Sequence, residues 1–340
     1  MASATKPGRL ESRWKTSIED YVVAALWSPR QHLIAAAGIG GAIFLLNPAD
    51  GSVLRKLSGH EFGASSLSWH AEGSLLASCG QDGQARIWNA DTGACLHELA
   101  LGASWGEKVL FHPKSDLLLT TAGKKIKLWN SQGQLLQSFQ DSKTTIADVV
   151  WAPKGKGFAS ATYGGVTLWN EDSPEPALTY PWKGSLLVIA WSPDSKMIAG
   201  GAQDASVHFW YTKDGRDLEM TGYPIKIREL SWEAKSSLLA TGGGQIVTIW
   251  DCTGKGPAGS EPISLEYHEL PISVLAFQNR GPRLVSGCNG GKLALWEPRA
   301  ASRTLATLEL SSKITALSWG KSDEKILVGC EDGSISLLLT

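Results

Sequence analysis

The residues that could do chemistry in this sequence are few and widely spaced. Seven histidines occur, at positions 32, 60, 70, 97, 112, 208 and 268. No two of them form the HExxH pair of zinc hydrolases, and the chain has neither a GxSxG nucleophile motif nor a phosphate-binding glycine loop. The run Gly242–Gly244 falls between two strand-like segments, where no helix N-terminus would offer N–H groups to a phosphate. These patterns argue against catalysis, and we expect no enzyme activity and no cofactor.

The cysteines point in the same direction. The chain has five of them, an odd number that argues against a disulfide framework and fits a reducing compartment. Cys79, Cys288 and Cys330 occupy equivalent positions in apolar segments that lie far apart in the chain. We interpret them as small core residues rather than as ligands of one metal ion, and we expect no metal site.

Aromatic residues, by contrast, recur at a regular spacing. Eight apolar strand-like runs end at intervals of 40 to 45 residues, at Trp27, Trp69, Phe111, Trp151, Trp191, Trp232, Phe277 and Trp319. A second set follows 18 or 19 residues after each of these, at Leu46, Trp88, Trp129, Trp169, Trp210, Trp250, Trp296 and Leu338. The two sets hold 12 of the 15 tryptophans. Such a period indicates a propeller or solenoid, and we number its units as repeats 1 to 8.

Repeat 2, residues 59–99, has the clearest pattern. Strand-like runs at 65–69, 74–79, 84–89 and 95–99 are separated by turn residues such as Asp82-Gly83, which predicts a four-stranded antiparallel meander. The residues Gly59-His60, Asp82 and Trp88-Asn89 stand at the offsets of a WD40 motif, with Asn for the second motif letter. The chain therefore resembles the WD40-repeat β-propeller family.

This resemblance implies a structural tetrad, a hydrogen-bonded set of His, Ser or Thr, Asp and Trp. In repeat 2 the tetrad maps onto His60, Ser78, Asp82 and Trp88. Repeat 7 keeps His268, Ser286 and Trp296 but has Asn289-Gly290 where the family has Asp. Repeats 5 and 6 carry Trp182 and Tyr223 at the histidine position, and we interpret both as packing substitutes because large aromatics are usually buried.

The expected fold is an all-β, eight-bladed WD40-type propeller, with seven blades as the alternative. Repeat 8 ends at the last residue, Thr340, and has no fourth strand of its own, whereas Arg9–Lys15 alternates like a strand. The family resemblance implies that this N-terminal strand completes the last blade, and an open ring would leave an unpaired sheet edge. We expect residues 1–8 to be a disordered tail and residues 9–340 to form a single propeller domain.

Function is then expected on the loops, because the family resemblance implies that partners bind the face carrying the fourth-to-first and second-to-third strand loops. The predicted partner-binding residues are Tyr21, Gln81, Trp105, Lys124, Tyr163, Gln203, Lys226, Lys313 and Glu331. Exposed Trp, Tyr and Lys suit an extended, partly acidic peptide. For Trp105 an alternative is that it covers repeat 3, where Gly102 replaces the histidine.

Composition narrows the class of partner. A net charge of −1 and a pI near 6.7 do not favour nucleic acid. No apolar run approaches the roughly 18 residues of a membrane span, and residues 1–13 lack the apolar core of a signal peptide. We expect a cytoplasmic, non-catalytic scaffold that is monomeric on its own and binds an unidentified protein or peptide, with no nucleic acid or membrane partner. The alternative is an enzyme, or a small-ligand or metal-binding propeller, that uses the central channel.

Overall fold

The structure, a computed structural model, describes residues 8–102, 104–154, 157–254 and 256–340. These residues form strands and turns. Within them no helix is long and apolar enough to cross a membrane. The predicted disordered tail lies outside the described residues except for Gly8, which begins a strand and so corrects that boundary.

The strands follow one another in short steps along the chain. The first eight are β1 Gly8–Arg9, β2 Glu11–Ser17, β3 Val22–Trp27, β4 Ile34–Gly38, β5 Ile43–Leu46, β6 Val53–Leu57, β7 Ala64–Trp69 and β8 Leu75–Gly80. The next eight are β9 Gln84–Asn89, β10 Cys95–Ala100, β11 Gly106–Phe111, β12 Leu117–Ala122, β13 Lys125–Asn130, β14 Leu135–Ser138, β15 Ile146–Trp151 and β16 Phe158–Trp169. Then come β17 Pro176–Trp191, β18 Met197–Ala202, β19 Val207–Tyr211, β20 Asp217–Met220, β21 Leu230–Trp232, β22 Leu238–Thr241, β23 Val247–Asp251 and β24 Ile263–Leu265. The last are β25 Ile272–Phe277, β26 Leu284–Cys288, β27 Lys292–Trp296, β28 Thr304–Glu309, β29 Ile314–Trp319, β30 Lys325–Cys330 and β31 Ser334–Leu339.

These strands pair into seven hydrogen-bonded sheets arranged as a β-propeller. Repeats 1, 2, 3 and 6 each form one antiparallel sheet of four strands. The first strands of neighbouring repeats contact one another all the way round, and those of repeat 8 contact those of repeat 1. The ring is therefore closed around a channel lined by first strands.

Eight separate blades, the main expectation, are not confirmed, because repeats 4 and 5 share one six-stranded sheet. The long strand β17 is the reason. Its first residues pair with the end of β16, and its last residues pair with β18. Tyr163 also pairs directly with Ser185 across the junction. Pro181 and Gly184 are residue types common in turns, but the backbone stays extended through both positions.

The N-terminal segment joins two sheets. Strand β2 runs antiparallel to β31 and supplies the outer strand that repeat 8 lacks, where the sequence predicted it. Trp14 in β2 is buried, and its Nε1 donates to the Pro48 carbonyl at 3.0 Å. Strand β1 pairs in parallel with β28 and adds a fifth strand to repeat 7. The chain start thus ties repeats 7, 8 and 1 together.

The aromatic residues that end the first strands link each repeat to the one before it. Five of the six tryptophans in this set donate Nε1 to a backbone carbonyl of the preceding repeat. The residue that carries this carbonyl comes directly before the aromatic residue that ends the first strand of that repeat. The bonds are Trp27 to Ser318, Trp69 to Leu26, Trp151 to Leu110, Trp232 to Ala190 and Trp319 to Ala276, at 2.9–3.4 Å. The core role that their spacing predicts therefore includes a polar contact between repeats.

Phenylalanine has no indole donor, and the two repeats that carry it use a different contact. The backbone N–H of Phe111 donates to Ser68 Oγ at 2.9 Å, and that of Phe277 donates to Ser231 Oγ at 2.9 Å. Each serine occupies the position whose carbonyl a tryptophan would use. A hydroxyl in the preceding repeat thus replaces the missing indole bond.

Candidate functional site

The two sets of predicted loop positions lie side by side on one face. In five repeats, the backbone N–H of the second-to-third loop residue donates to the carbonyl of the residue that precedes the first strand. The pairs are Ile39 with Tyr21, Gln81 with Gly63, Gln203 with Ser185, Asn289 with Pro271, and Glu331 with Lys313, at 2.9–3.0 Å. We call the surface formed by these loops the loop face.

Three predicted residues come together at the channel entrance. Tyr21, Lys226 and Lys313 line a cavity of about 420 Å³, together with Pro271 and Asn289. They come from repeats 1, 6 and 8, so only ring closure brings them together. We call this space the mouth cavity.

Trp105, Lys124 and Tyr163 lie elsewhere on the loop face, in repeats 3 and 4, and none of them lines the mouth cavity. Trp105 is 62% exposed and Tyr163 is 59% exposed. The alternative for Trp105, that it packs over repeat 3, does not agree with this exposure. Lys124, which belongs to repeat 3, is also exposed.

The remaining predicted residues are more scattered. Gln203 and Glu331 are exposed, and Gln81 is half-buried. Their backbone N–H groups are used within their own repeats. None of the three lines the mouth cavity, so the structure does not bring them together with the lysines.

Sequence reasoning missed four apolar residues of this face. Phe62 is 79% exposed, Ile39 51%, Leu270 48% and Ile225 43%. Phe62, Ile225 and Leu270 all stand seven residues before the aromatic end of a first strand. The prediction sampled the position six residues before it, so the adjacent offset would have found them.

Phe62 also has an unusual backbone conformation. Its φ is 66°, in the left-handed region that bulky residues avoid at a cost of about 1–2 kcal/mol. An exposed ring regains little of that cost through burial. Strain without compensating packing is typical of residues kept for recognition.

A second cavity adjoins the first. It has a volume of about 540 Å³ and an apolar wall that includes Tyr223, Pro224 and Ile246. Ile225 and Pro271 line both cavities. We call it the side pocket, and it opens in repeat 6 next to the mouth cavity.

The mouth cavity is rich in positive charge. Lys226, Arg228 and Lys313 line it, and none of them has a carboxylate within 4.0 Å among the residues that the structure describes. The one carboxylate in the lining is Glu229, whose Oε2 accepts the Arg228 backbone N–H at 3.3 Å. Burial raises the pKa of Glu229, while the hydrogen bond from the Arg228 backbone and the charge of Arg228 act in the opposite direction.

The channel wall contains one charge pair that the sequence reasoning did not predict. Lys108 Nζ lies 3.1 Å from Asp148 Oδ1, and the other oxygen of Asp148 accepts the Ile189 N–H at 3.0 Å. Asp148 raises the pKa of Lys108 by stabilising its charge. Lys108, Asp148 and Ile189 belong to repeats 3, 4 and 5, so these contacts connect three repeats. Both carboxylate oxygens of Asp148 already have partners within the protein.

The tetrad residues of repeat 2 form one continuous chain of hydrogen bonds. Trp88 Nε1 donates to Ser78 Oγ at 2.9 Å, and Ser78 Oγ is hydrogen-bonded to His60 Nε2 at 2.8 Å. His60 Nδ1–H then donates to Asp82 Oδ1 at 2.9 Å. Arg86, which sequence reasoning missed, donates to Asp82 Oδ2 at 2.7 Å.

The pKa directions follow from this geometry. Burial lowers the pKa of His60, and the nearby Asp82 only partly offsets this effect. Burial tends to raise the pKa of Asp82, but the hydrogen bonds from Arg86 and His60 outweigh it and hold that pKa below its usual value. His60 is thus a neutral structural link rather than a proton donor to solvent.

The two aromatic substitutes differ from each other. Tyr223 Oη accepts from Trp250 Nε1 at 2.7 Å and bonds Thr241 Oγ1 at 2.8 Å, so it completes a polar chain in repeat 6. Trp182 stacks on the buried His208 ring at 3.4 Å between centroids. Among the described residues, the Nε1 of Trp182 and both ring nitrogens of His208 have no hydrogen-bond partner, although His208 Nε2 lies 3.6 Å from Glu219 Oε1. Both aromatics pack locally, but only Tyr223 replaces the histidine's bonding.

No metal site emerges from the described part of the chain, where no group of three or more His, Cys, Asp or Glu side chains could hold an ion. The five cysteines are unpaired, and only Cys95 is exposed. Burial raises the pKa of Cys79 and raises that of Cys252 to about 12. These two thiols are protonated core groups at neutral pH.

Comparison with known proteins agrees with this architecture. The WD domain, G-beta repeat family matches residues 51–89 and 177–211. The B-type cell cycle switch protein ccs52A of Medicago truncatula is 24% identical over 87% of this chain and 62% of its own length. The intraflagellar transport protein 80 homolog of Rattus norvegicus is 30% identical over 44% of this chain and 24% of its own length. The chain thus spans about three fifths or less of these relatives.

A solved structure matches over nearly the whole chain. The computationally designed protein Ika8 superposes with a TM-score of 0.84, covering 97% of this chain and 100% of its own, at 20% sequence identity. At that identity the match concerns the fold alone. The matched repeats and the closed ring of antiparallel sheets support the WD40-repeat β-propeller family for this chain.

Proposed function

We propose that the chain is a non-catalytic scaffold that binds a protein or peptide partner on its loop face. The observation that carries this proposal is the set of large apolar side chains exposed in the loops of that one face, led by Phe62, Trp105 and Tyr163. Exposed aromatics beside cationic residues are typical of the centre of a protein interface. The charged mouth cavity lies on the same face, among residues of repeats 1, 6, 7 and 8.

The similarity to other proteins supports a regulatory or assembly role. One relative is named a cell cycle switch protein and another an intraflagellar transport protein. Neither name describes a reaction. Since the chain spans only part of each relative, we transfer no particular partner from them.

The test compares the loop face with the outer strands, which also expose apolar residues. Leu54, Leu96 and Leu136 lie on three successive outer strands and are 44–50% exposed. They offer a matched control, because their truncation removes similar exposed area from another surface.

Partners are captured from a native lysate with the wild type, with F62N/W105A/Y163A and with the control L54A/L96A/L136A, and are quantified by mass spectrometry. Asn is used at position 62 because it tolerates a positive φ. Proteins enriched on the wild type should be lost from the loop-face variant and kept by the control. Loss from the control alone, or equal recovery on all three, would contradict the proposal.

We also propose that the ring has eight blades, with the six-stranded sheet counted as two. Eight regularly spaced aromatic positions support this count, as does the division of β17 into two halves that pair with different strands. An experimental density map viewed along the channel should then show eight radial lobes. Seven lobes would contradict it.

A further inference from the structure

Two lysines elsewhere in this protein pair with carboxylates, whereas among the described residues the cations of the mouth cavity do not. Lys292 lies 2.6 Å from Glu269, and Lys108 lies 3.1 Å from Asp148. Lys226, Arg228 and Lys313 converge on one cavity, and the described residues provide no carboxylate within ion-pair distance of them. Like charges that share a concave surface repel one another, so such a cluster favours an anionic ligand.

The single carboxylate of the cavity lining, Glu229, offsets only part of the charge of the three cations. Glu229 Oε2 is held by the Arg228 backbone N–H, and its side chain also lies against Gly242, where a Cβ would come within 2.5 Å of the same oxygen. Tyr21 and Asn289, which also line the cavity, add a hydroxyl and an amide that can donate hydrogen bonds. The site therefore combines positive charge with neutral donors.

The side pocket offers the opposite chemistry at a short distance. Its wall includes Pro224, Ile225, Ile246 and Pro271, which are apolar, and its volume of about 540 Å³ can accept a large side chain. Because Ile225 and Pro271 border both cavities, one extended segment can reach both. Apolar anchoring then provides affinity, while charge complementarity fixes the register.

We propose that the partner is an extended peptide segment that places an anionic group in the mouth cavity and a bulky apolar side chain in the side pocket. This inference rests on the proposed function, since it specifies the partner of the same face. The anionic group is a carboxylate or a phosphate, which share the charge-assisted hydrogen bonding that Lys and Arg provide.

The first experiment selects peptides from a random library displayed on phage, using the full chain as bait. Enriched sequences should carry Asp or Glu within a few residues of a large apolar residue. The charge-reversed variant K226E/R228E/K313E should lose these sequences. The control K114E/K235E/K321E, which reverses three exposed lysines in turns of the opposite face, makes the same change in net charge and should keep them.

The second experiment measures affinity with a synthetic enriched peptide in three forms, bearing Glu, phosphoserine or Gln at the acidic position. Both anionic forms should bind about tenfold or more tightly than the Gln form, a difference of about 1.4 kcal/mol. The tighter of the two assigns the natural group as carboxylate or phosphate. The neutralised variant K226Q/R228Q/K313Q, which avoids new like-charge contacts, should abolish the preference while melting at the wild-type temperature.

The outcomes separate the two proposals. Enrichment of neutral peptides, or equal binding of the Glu, phosphoserine and Gln forms, would overturn the inference and leave the scaffold function intact. Peptide binding that depends on Phe62 and Trp105 but not on the three cations would also overturn the inference and leave the scaffold function intact. Failure to enrich any peptide would count against both.

Discussion

Repeats 2 and 7 build the same buried chain of Trp, Ser and His but end it in different ways. In both, the Trp Nε1 donates to a Ser hydroxyl that bonds the His Nε2, with distances of 2.7–2.9 Å. In repeat 2 the histidine's other nitrogen reaches Asp82, which also binds Arg86. In repeat 7 the Nδ1 of His268 is buried and has no hydrogen-bond partner in the part of the chain that the structure describes.

The position of the missing carboxylate is visible in the backbone. Gly291 has a φ of 80° and Gly83 a φ of 72°, and each N–H bonds the carbonyl three residues back. Gly290 therefore corresponds to Asp82. The comparison teaches that the aromatic core sets the geometry of a repeat, because it is unchanged where the polar end is lost.

The largest loss of stability should come from replacing the buried tryptophan that both repeats share. Trp88 and Trp296 are 4% and 1% exposed, and replacing either with Ala leaves a large cavity. We expect each substitution to lower the free energy of unfolding by about 3–5 kcal/mol. Urea titrations of Trp88→Ala and Trp296→Ala would show it, and a loss below about 1 kcal/mol in either would refute a core role for that residue.

Asp82→Ala tests the carboxylate that repeat 2 has and repeat 7 lacks. The substitution leaves the His60 Nδ1–H without its acceptor and removes one of the two carboxylates that Arg86 binds, Glu98 being the other. Hydrogen bonds to charged groups contribute about 1.5–3 kcal/mol. Asp204 of repeat 5 occupies an equivalent turn but is exposed and bonds only Ser206 among the described contacts. Asp204→Ala should therefore stay within about 0.5 kcal/mol of the wild type, and equal losses would remove the distinction between the two turns.

The stability of the protein should fall at acidic pH, because burial lowers the pKa of both histidines. Burial lowers the pKa of His268 from 6.5 to about 4. Above the pKa of the unfolded chain, His268 is neutral in both the folded and the unfolded state. Between the unfolded and the folded pKa, only the unfolded chain takes up a proton at this histidine. The stabilisation is therefore present above pH 6.5 and is lost as pH falls toward 4, at about 1.4 kcal/mol per pH unit for this group. Urea midpoints at pH 7 and pH 5 would reveal this loss, to which His60 adds in the same direction.

The smallest effect, and the sharpest, is expected from Gly290→Asp. A Cβ at Gly290 would meet only the flexible end of Leu270, at 3.2 Å, and its φ is not left-handed. The new carboxylate would accept from His268 Nδ1–H, and we expect a gain of about 0.5–1.5 kcal/mol at pH 7. It would also raise the pKa of His268, so the loss between pH 7 and pH 5 should shrink. Destabilisation with an unchanged pH slope would show that Gly290 does not correspond to Asp82.

Much of the architecture could be predicted because its cause is local. The aromatic positions follow from a strict spacing, and the need to close an exposed edge pointed to the N-terminal strand β2. The fused sheet of repeats 4 and 5 could not be predicted, since Pro181 and Gly184 are ordinary turn signals and only the tertiary pairing keeps them extended.

The candidate site was harder to predict for a different reason. Tyr21, Lys226 and Lys313 stand at one offset, and ring closure alone makes them neighbours. Arg228 lies in the channel wall, two residues after Lys226. The sequence pattern does not reveal that its side chain lines the same cavity. Phe62 was missed because it stands seven residues before the aromatic end of its first strand, one position from the offset that the prediction sampled.

The most direct test of where the partner binds is amide hydrogen exchange of the full chain, with and without an enriched peptide. Binding at the mouth cavity and side pocket predicts slower exchange in the loops that contain Tyr21, Ile225-Lys226 and Lys313. It also predicts unchanged exchange in the outer strands β6, β10 and β14. Protection confined to those outer strands, or to the turns at the opposite end of the channel, would contradict a partner site on the loop face.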